Sequence, residues 1–374
     1  MDSITQGLLG AVTVQLGFRQ RIGRETTWVA AAVAVIPDLD ILIHPLLSLS
    51  GAESGELDHI VTHRGISHSL LLVPLMALPI ALLWRWAKNN KRRSAEQKTD
   101  KPIVSPSPGA NCSFLLLYGC TFLALLSHPL LDWCTSYGTQ LFAPLTSRRF
   151  AIDAIAIIDV FYTPILIFTI LACYLIRKIR ADSRKLTLWI GWIGFLLSVG
   201  YIFTGWQFHN QAIRQVRKHF VRQQGNCPST QYRAYPQLGC IWLWRVTEQR
   251  QNQWIDAQCN LLFDPYLQQV KWTSGSVSDN PWVQIARQLA AVQTFYWFAM
   301  DQIRPEYDRQ PNRHIVDFHD MRYSPDPAGL ESLWSLRVVF DDDGNLVLVD
   351  QVRHHPRRDY SSILQQAWRN IWNS

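Results

Sequence analysis

Residues 58–69, DHIVTHRGISHS, place three histidines, an arginine and two serines directly before a long apolar run. Imidazole is the commonest protein ligand of metal ions, and it also titrates near neutral pH. His63 and His68 are five residues apart, so on a regular helix their side chains would diverge by about 140°. A turn at Gly65, with Ser67 capping the helix that follows, would let both rings face one centre.

Two further stretches carry residues of the same chemistry. His128 and Asp132 in SHPLLDW are four positions apart, so one face of a helix would present both side chains. Asp38 and Asp40 follow Pro37 in IPDLD. Because proline disfavours helix at the residue before it, we expect this stretch to be extended, with both carboxylates on one side.

The chain also contains apolar runs of the length that a membrane helix needs. It is 48% hydrophobic, yet its mean hydropathy is close to zero, so apolar and polar residues must be segregated. A hydrocarbon core of about 30 Å takes roughly 20 apolar residues as a helix. The runs that approach this length are residues 68–87, 113–131, 160–176 and 186–206, and a fifth, 27–47, is interrupted by Pro37, Asp38 and Asp40.

Basic loops beside these runs predict the orientation of the helices. Residues 19–24, 85–101 and 177–185 are rich in Lys and Arg, and such loops stay in the cytoplasm. The same placement explains the net charge of +7 without nucleic-acid binding, which we do not expect. Residues 207–374 then lie outside, in the periplasm of a Gram-negative cell, and the three polar stretches meet at the outer membrane face.

This convergence predicts a metal site. An ionisable group at membrane depth is unfavourable unless it is paired or lines a polar cavity, and is by default a functional-site hypothesis. Imidazole with carboxylate suits Zn, Mn or Fe, so we predict one or two divalent ions, with Zn or Mn favoured. The predicted ligands are Asp38, Asp40, His63, His68, His128 and Asp132. Structural alternatives are a Pro-Asp turn for the aspartate pair and a hydrogen bond within one helix for His128 and Asp132.

Arg64, His68 and Asp132 are the predicted catalytic residues. Arg64 would bind a phosphate or carboxylate of the substrate through its planar fork of donors. His68 and Asp132 would act as ligands or as a base, while a bound divalent ion activates water at neutral pH. Asp159 is a second-tier candidate, either as a ligand or as support for one. Its alternative role is a carboxylate at the N-terminus of a helix, which the helix dipole favours.

Five motifs in this order resemble the membrane-bound metal-dependent hydrolase family, the YdjM-like inner-membrane hydrolases of bacteria. They are MDSITQGLLGA at 1–11, PDLD at 37–40, HRGISHS at 63–69, HPLLDWCTSYGTQLFAP at 128–144 and IIDVFYTP at 157–164. The resemblance covers about residues 1–206 and implies an inner-membrane protein with divalent-metal hydrolase activity. The family pattern falls on the six predicted ligands. Members commonly have His or Gln in the N-terminal motif, and this chain has Gln6, to which we assign no ligand role.

The expected architecture is an α-helical polytopic membrane domain, residues 1–206, followed by a small α+β extracytoplasmic domain, residues 207–374. In the second domain, residues 240–249 and 253–264 predict paired strands, 282–299 a helix, and 333–354 a hairpin that turns at Asp343-Gly344. A terminal helix should include SSILQQAWRNIW. We expect this domain to act as a lid or substrate-selecting module over the membrane site.

The predicted protein is an integral inner-membrane, metal-dependent hydrolase that acts on a phosphoester at the periplasmic face. A phospholipid is one candidate substrate, because a site at the lipid interface can receive it without full extraction from the bilayer. The alternative is a non-enzymatic metal-binding membrane protein, such as a carrier or stress-response scaffold, since storage and catalysis use the same ligands.

Overall fold

The computed structural model describes residues 1–42, 57–98, 113–180, 182–224, 232–249, 253–264, 271–276, 280–323 and 332–352, with residues 368, 369 and 372. The first half is helical. Its helices are α1 Ser3–Thr13, α2 Phe18–Ile22, α3 Thr26–Val35, α4 Asp58–Thr62, α5 Val73–Lys98, α6 Phe114–Trp133, α7 Tyr162–Ile179 and α8 Arg184–Gln224. Short 3-10 helices at Val14–Leu16, Ile36–Leu42 and Ile66–His68 follow α1, α3 and α4.

Among the described residues, three helices are long and apolar enough to cross a membrane, namely α6, α7 and the part of α8 from Arg184 to Phe220. They cover the runs predicted at 113–131, 160–176 and 186–206. The run at 68–87 falls on a bent pair, His59–His68 with Val73–Ser94, whose axes meet at 71° and which could form a fourth span. The direction in which each helix crosses stays a prediction.

The aspartate-bearing stretch after α3 differs from the predicted extended segment. Residues Ile36–Leu42 form a 3-10 helix that continues directly from α3, so the extended prediction is wrong here. Pro37 lies in the first turn of this helix, where its missing N–H removes no hydrogen bond and its fixed φ suits a helical backbone. α3 has only ten residues, so it is shorter than the predicted 27–47 run, of which residues 43–47 lie outside the described part.

Small residues allow α1 and α3 to pack closely. A Cβ atom added to Gly10 would lie 2.4 Å from the Cβ of Ala34 and 2.7 Å from the carbonyl oxygen of Ala30. Such contacts between small residues are how helices associate when lipid surrounds them. The close approach fixes α1 and the 3-10 helix that carries Asp38 relative to each other.

We expect Gly10→Ala to destabilise the protein by about 1–3 kcal/mol, because the added methyl group must push α1 and α3 apart. The matched control is Gly200→Ala, since a Cβ at this position in α8 meets nothing within 4 Å. Thermal unfolding of the detergent-purified variants measures the difference. Equal unfolding midpoints for the two variants would contradict the inferred close packing.

The described part of the second half forms two antiparallel sheets, each with its strands in sequence order. The first sheet consists of β1 Tyr232–Pro236, β2 Leu243–Gln249, β3 Gln253–Asn260 and β4 Lys271–Ser276, and the second of β5 Ile303–Gln310, β6 Arg313–Asp320, β7 Ser335–Asp341 and β8 Leu346–Val352. The predicted pairing of β2 with β3 is confirmed. The predicted hairpin is β7–β8, with Gly344 at a φ of 88° in its turn.

One predicted helix of this half is broken into two. Residues 282–299 form α9, Pro281–Arg287, and α10, Ala290–Phe298, with Leu289 extended between them. The prediction of a continuous helix is therefore wrong. Val283 of α9 and Phe295 of α10 lie in one core with the second sheet, and the break lets both short helices turn their apolar sides towards it. Most of the predicted terminal helix lies outside the described residues.

The two halves of the chain are in contact, and two of these contacts bear on the position of the predicted site. α8 continues unbroken through the predicted boundary at residues 206 and 207, and its last turns pack on the first sheet through Val216 and Phe220. Leu57 and Ile60, at the start of the histidine-bearing segment, lie in the same core as Phe298 of α10. The second sheet and its helices therefore lie directly beside the residues predicted to bind metal.

Candidate metal centre

Four of the predicted ligands converge from three separate elements. Asp38 comes from the 3-10 helix after α3, His68 from the 3-10 helix Ile66–His68, and His128 and Asp132 from the end of α6. One ligand atom of each residue lies within 4.8 Å of the ligand atoms of the other three. We call these residues the four-ligand group. Proline at position 129 does not break α6, so His128 and Asp132 share one helical face as predicted.

The spacing of these atoms fits one tetrahedral ion. The Nε2 atoms of His68 and His128 are 3.0 Å apart. Oδ2 of Asp132 lies 3.3 Å from the first and 3.5 Å from the second, and Oδ1 of Asp38 lies 3.6 Å and 3.3 Å from them. Ligands bonded tetrahedrally at 2.0–2.1 Å are separated by about 3.3 Å. The group is therefore a suitable ligand set for a single ion without large rearrangement.

The hydrogen bonds of the imidazole rings leave both Nε2 atoms available to an ion. Nδ1 of His128 lies 2.6 Å from the carbonyl oxygen of Ala34, which can only accept, so this nitrogen carries the proton. Nδ1 of His68 lies 2.9 Å from the hydroxyl of Ser67, which donates to Asp40 at 2.6 Å and accepts from the ring. With their protons at Nδ1, both rings can offer the lone pair of Nε2 to one cation.

One oxygen of Asp132 accepts hydrogen bonds, whereas the other has a cationic neighbour, Nε of Arg64 at 3.2 Å, but no hydrogen bond. Its Oδ1 accepts from the amino group of Met1 at 2.5 Å and from Nε2 of Gln6 at 2.9 Å. Its Oδ2 is buried and accepts no hydrogen bond among the described residues. A buried carboxylate oxygen that accepts no hydrogen bond is unfavourable. An ion bound by the four-ligand group would give Oδ2 of Asp132 a positively charged partner.

Gln6, to which the sequence assigned no ligand role, contacts the four-ligand group through Asp132. Its carboxamide nitrogen donates to Asp132 and also contacts the carbonyl oxygen of His128 at 3.3 Å. The side chain is completely buried. A glutamine in the middle of an apolar helix was the signal for such a role, but nothing local indicated which partner it would find.

Asp40 and His63 lie beside the four-ligand group and bind each other. Oδ1 of Asp40 is 2.8 Å from Nδ1 of His63, and its Oδ2 accepts from Ser67 and, at 3.2 Å, from the backbone N–H of Arg64. Asp40 therefore acts on the group through Ser67 and the ring of His68. Ser67 does not cap a helix, contrary to prediction, because Asp40 and His68 take up its hydroxyl.

Arg64 reaches the edge of the group from an unusual backbone conformation. Its φ is 58°, so the predicted turn exists but the left-handed residue is Arg64 and not Gly65. Gly65 is still required, since a Cβ there would lie 2.8 Å from the carbonyl oxygen of Thr62. Nε of Arg64 lies 3.2 Å from Oδ2 of Asp132, and its NH1 donates to Thr135 at 3.0 Å. Strained backbone of this kind is typical of functional sites.

Asp159 lies outside the four-ligand group, at the N-terminus of α7. It accepts hydrogen bonds from the backbone N–H groups of Phe161 and Tyr162, both at 2.9 Å, and from the hydroxyl of Tyr201. Burial raises the pKa of its carboxyl to about 6, against the effect of these donors. This placement corresponds to the alternative role, a carboxylate at the start of a helix.

Residues 1–208 match a protein family described as YdjM inner membrane protein. The chain belongs to the YdjM inner membrane protein family. The match ends within α8 and includes the whole four-ligand group, Arg64, Asp40 and His63, and it confirms the resemblance of the five motifs. No curated protein and no solved structure matches the chain. The family and the apolar helices indicate a membrane protein, and its four-ligand group could hold a metal ion.

Proposed function

We propose that this YdjM-family protein is an inner-membrane hydrolase that depends on a divalent metal ion and cleaves a phosphoester at the periplasmic face. The observation that supports the proposal is the four-ligand group, which could hold the ion and whose edge is occupied by the guanidinium of Arg64. Two imidazoles and two carboxylates suit Zn or Mn. When bound, such an ion polarises the bond under attack and lowers the pKa of water.

The residues around the group supply orientation and charge. Ser67 and Asp40 hold the proton of His68 at Nδ1, which keeps Nε2 free for the ion. Arg64 can offer its fork of donors to the non-bridging oxygens of a phosphate, where negative charge grows in the transition state. A donor placed beside the ligands in this way favours hydrolysis of a phosphoester over metal storage alone.

Apolar side chains beside the ligands favour a substrate carried by lipid. Leu39 and Ile41, which flank Asp40, are exposed, as is Ile66 next to the histidine-bearing turn. Exposed aliphatic side chains at the mouth of a site mark a surface that contacts apolar material. The basic loops that predict the orientation of the helices support the periplasmic side for this surface. A phospholipid fits both properties.

Hydrolysis of a model phosphodiester by detergent-purified protein tests the proposal. We expect protein loaded with Zn or Mn to release product from bis-(4-nitrophenyl) phosphate and from a short-chain phospholipid, and protein treated with a chelator to release none. Readdition of the metal should restore the rate. Full metal occupancy without turnover of either compound would contradict the proposal and favour the non-enzymatic metal-binding alternative.

A further inference from the structure

A second arginine, Arg149, is buried close to the metal centre without an acidic partner. Its NH2 donates to the carbonyl oxygen of Gly138 at 2.9 Å and its NH1 to that of Ile60 at 3.2 Å, while its Nε has no acceptor. No carboxylate of the described residues forms an ion pair with it. Carbonyl groups are neutral, so they orient this guanidinium without compensating its charge.

A buried charge without a counter-charge is unfavourable. Burial is the main reason why the pKa of Arg149 is lowered to about 10, and the positive charges of Arg322 and Arg64 lower it further. Arg322 differs from Arg149, because it forms an ion pair with Asp320 at 2.7 Å. Among the described residues, no carboxylate therefore balances the positive charge of Arg149.

The chain is built to hold this guanidinium in place. Gly138 has a φ of 84°, and a Cβ there would lie 3.3 Å from Nε and 3.2 Å from Cβ of Arg149. Trp297 and Phe298 of α10 cover the guanidinium, with ring centroids 5.0 Å and 5.2 Å from its Cζ atom. The second half of the chain thus supplies two aromatic residues that position Arg149.

Arg149 and Arg64 share a contact with one aromatic ring. The Cζ atom of Arg64 lies 4.5 Å from the ring centroid of Tyr137, and that of Arg149 lies 5.2 Å from it. Arg64 contacts Asp132 of the four-ligand group, and Arg149 contacts aromatic residues of α10. The two arginines therefore lie between this group and α10. Two buried guanidinium groups that contact the same ring are complementary in charge to a phosphate, which could also accept a hydrogen bond from the unpaired Nε of Arg149.

We propose that Arg149 and Arg64, positioned by Tyr137, Trp297 and Phe298, form an anion-binding subsite beside the four-ligand group that takes a phosphate group. The choice of phosphate as substrate class rests on the proposed function. The ligand could be the phosphate of a lipid headgroup or a free phosphate, which share the same chemistry. The subsite includes residues of both halves of the chain, so the second half contributes to substrate binding.

Binding of radiolabelled inorganic phosphate to metal-free, detergent-purified full chain tests the subsite without any need for turnover. We expect Arg149→Gln to weaken phosphate binding at least tenfold. The matched control is Arg148→Gln, since Arg148 is the adjacent arginine and is exposed, and we expect it to change the affinity less than twofold. Competition by a short-chain phosphatidic acid distinguishes a lipid headgroup from a free phosphate as the preferred ligand.

Unchanged phosphate affinity in a folded Arg149→Gln variant would overturn the subsite, as would the absence of phosphate binding to the unmodified chain. If Arg149→Gln does not fold, Arg149→Lys replaces it, because lysine keeps the charge but loses the fork. Weaker binding by this variant supports the subsite, and unchanged binding overturns it. Arg149-dependent phosphate binding in a protein that hydrolyses nothing would contradict the proposed function but not the subsite.

Discussion

A chain with His68→Ala and Asp132→Asn is expected to lose metal binding completely. The two changes remove one imidazole nitrogen and one anionic oxygen from a set of four, and leave Asp38 and His128, which are too few ligands for a closed site. We expect about one ion per unmodified chain, and an affinity lowered by more than a hundredfold in the variant, since even the loss of supporting residues lowers affinity about 10–100-fold. Elemental analysis after dialysis against Zn or Mn measures the change.

His219→Ala is the matched control for this experiment, because His219 lies in α8, away from the four-ligand group. It should bind as much metal as the unmodified chain. Thermal unfolding of both variants shows that the protein is folded. Full metal occupancy in the double variant would end the assignment of these residues as ligands.

Arg64→Lys is expected to lower the rate of phosphoester hydrolysis about 10²–10³-fold, the usual effect of losing one donor to a developing negative charge. Lysine keeps the positive charge but offers a point charge in place of a planar fork. Metal content should stay close to that of the unmodified chain, because Arg64 contacts Asp132 without being a ligand. Steady-state hydrolysis with the metal content measured on the same sample tests this prediction.

Arg148→Lys, at the exposed arginine before Arg149, is the control for Arg64→Lys and should hydrolyse at the unmodified rate. A variant at position 64 that retains both metal and full activity would exclude Arg64 from catalysis. A variant that loses metal as well would show that Arg64 stabilises the four-ligand group, and would not support a role in binding phosphate.

The membrane helices and the kinds of ligand at the site could be predicted from the sequence, because both depend on residues that are close to each other in the chain. Apolar runs of sufficient length predicted α6, α7 and the first part of α8, since the length of an apolar helix follows directly from the thickness of a bilayer. The i, i+4 spacing predicted that His128 and Asp132 share a face. Local rules were wrong at Ile36–Leu42, where continuation of α3 outweighed the effect of Pro37.

The sequence by itself determined that acidic and imidazole side chains stand at the ends of membrane helices, where an unpaired charge is unfavourable. Only the tertiary structure decided that Asp38, His68, His128 and Asp132 face one point, and that Asp40 and His63 stand beside them. It also brought Gln6 to Asp132, and α10 to Arg149. These contacts join residues that are distant in sequence, such as Asp40 and His63 at 23 positions and Gln6 and Asp132 at 126. They therefore depend on how helices and sheets pack, which no local pattern of residues encodes.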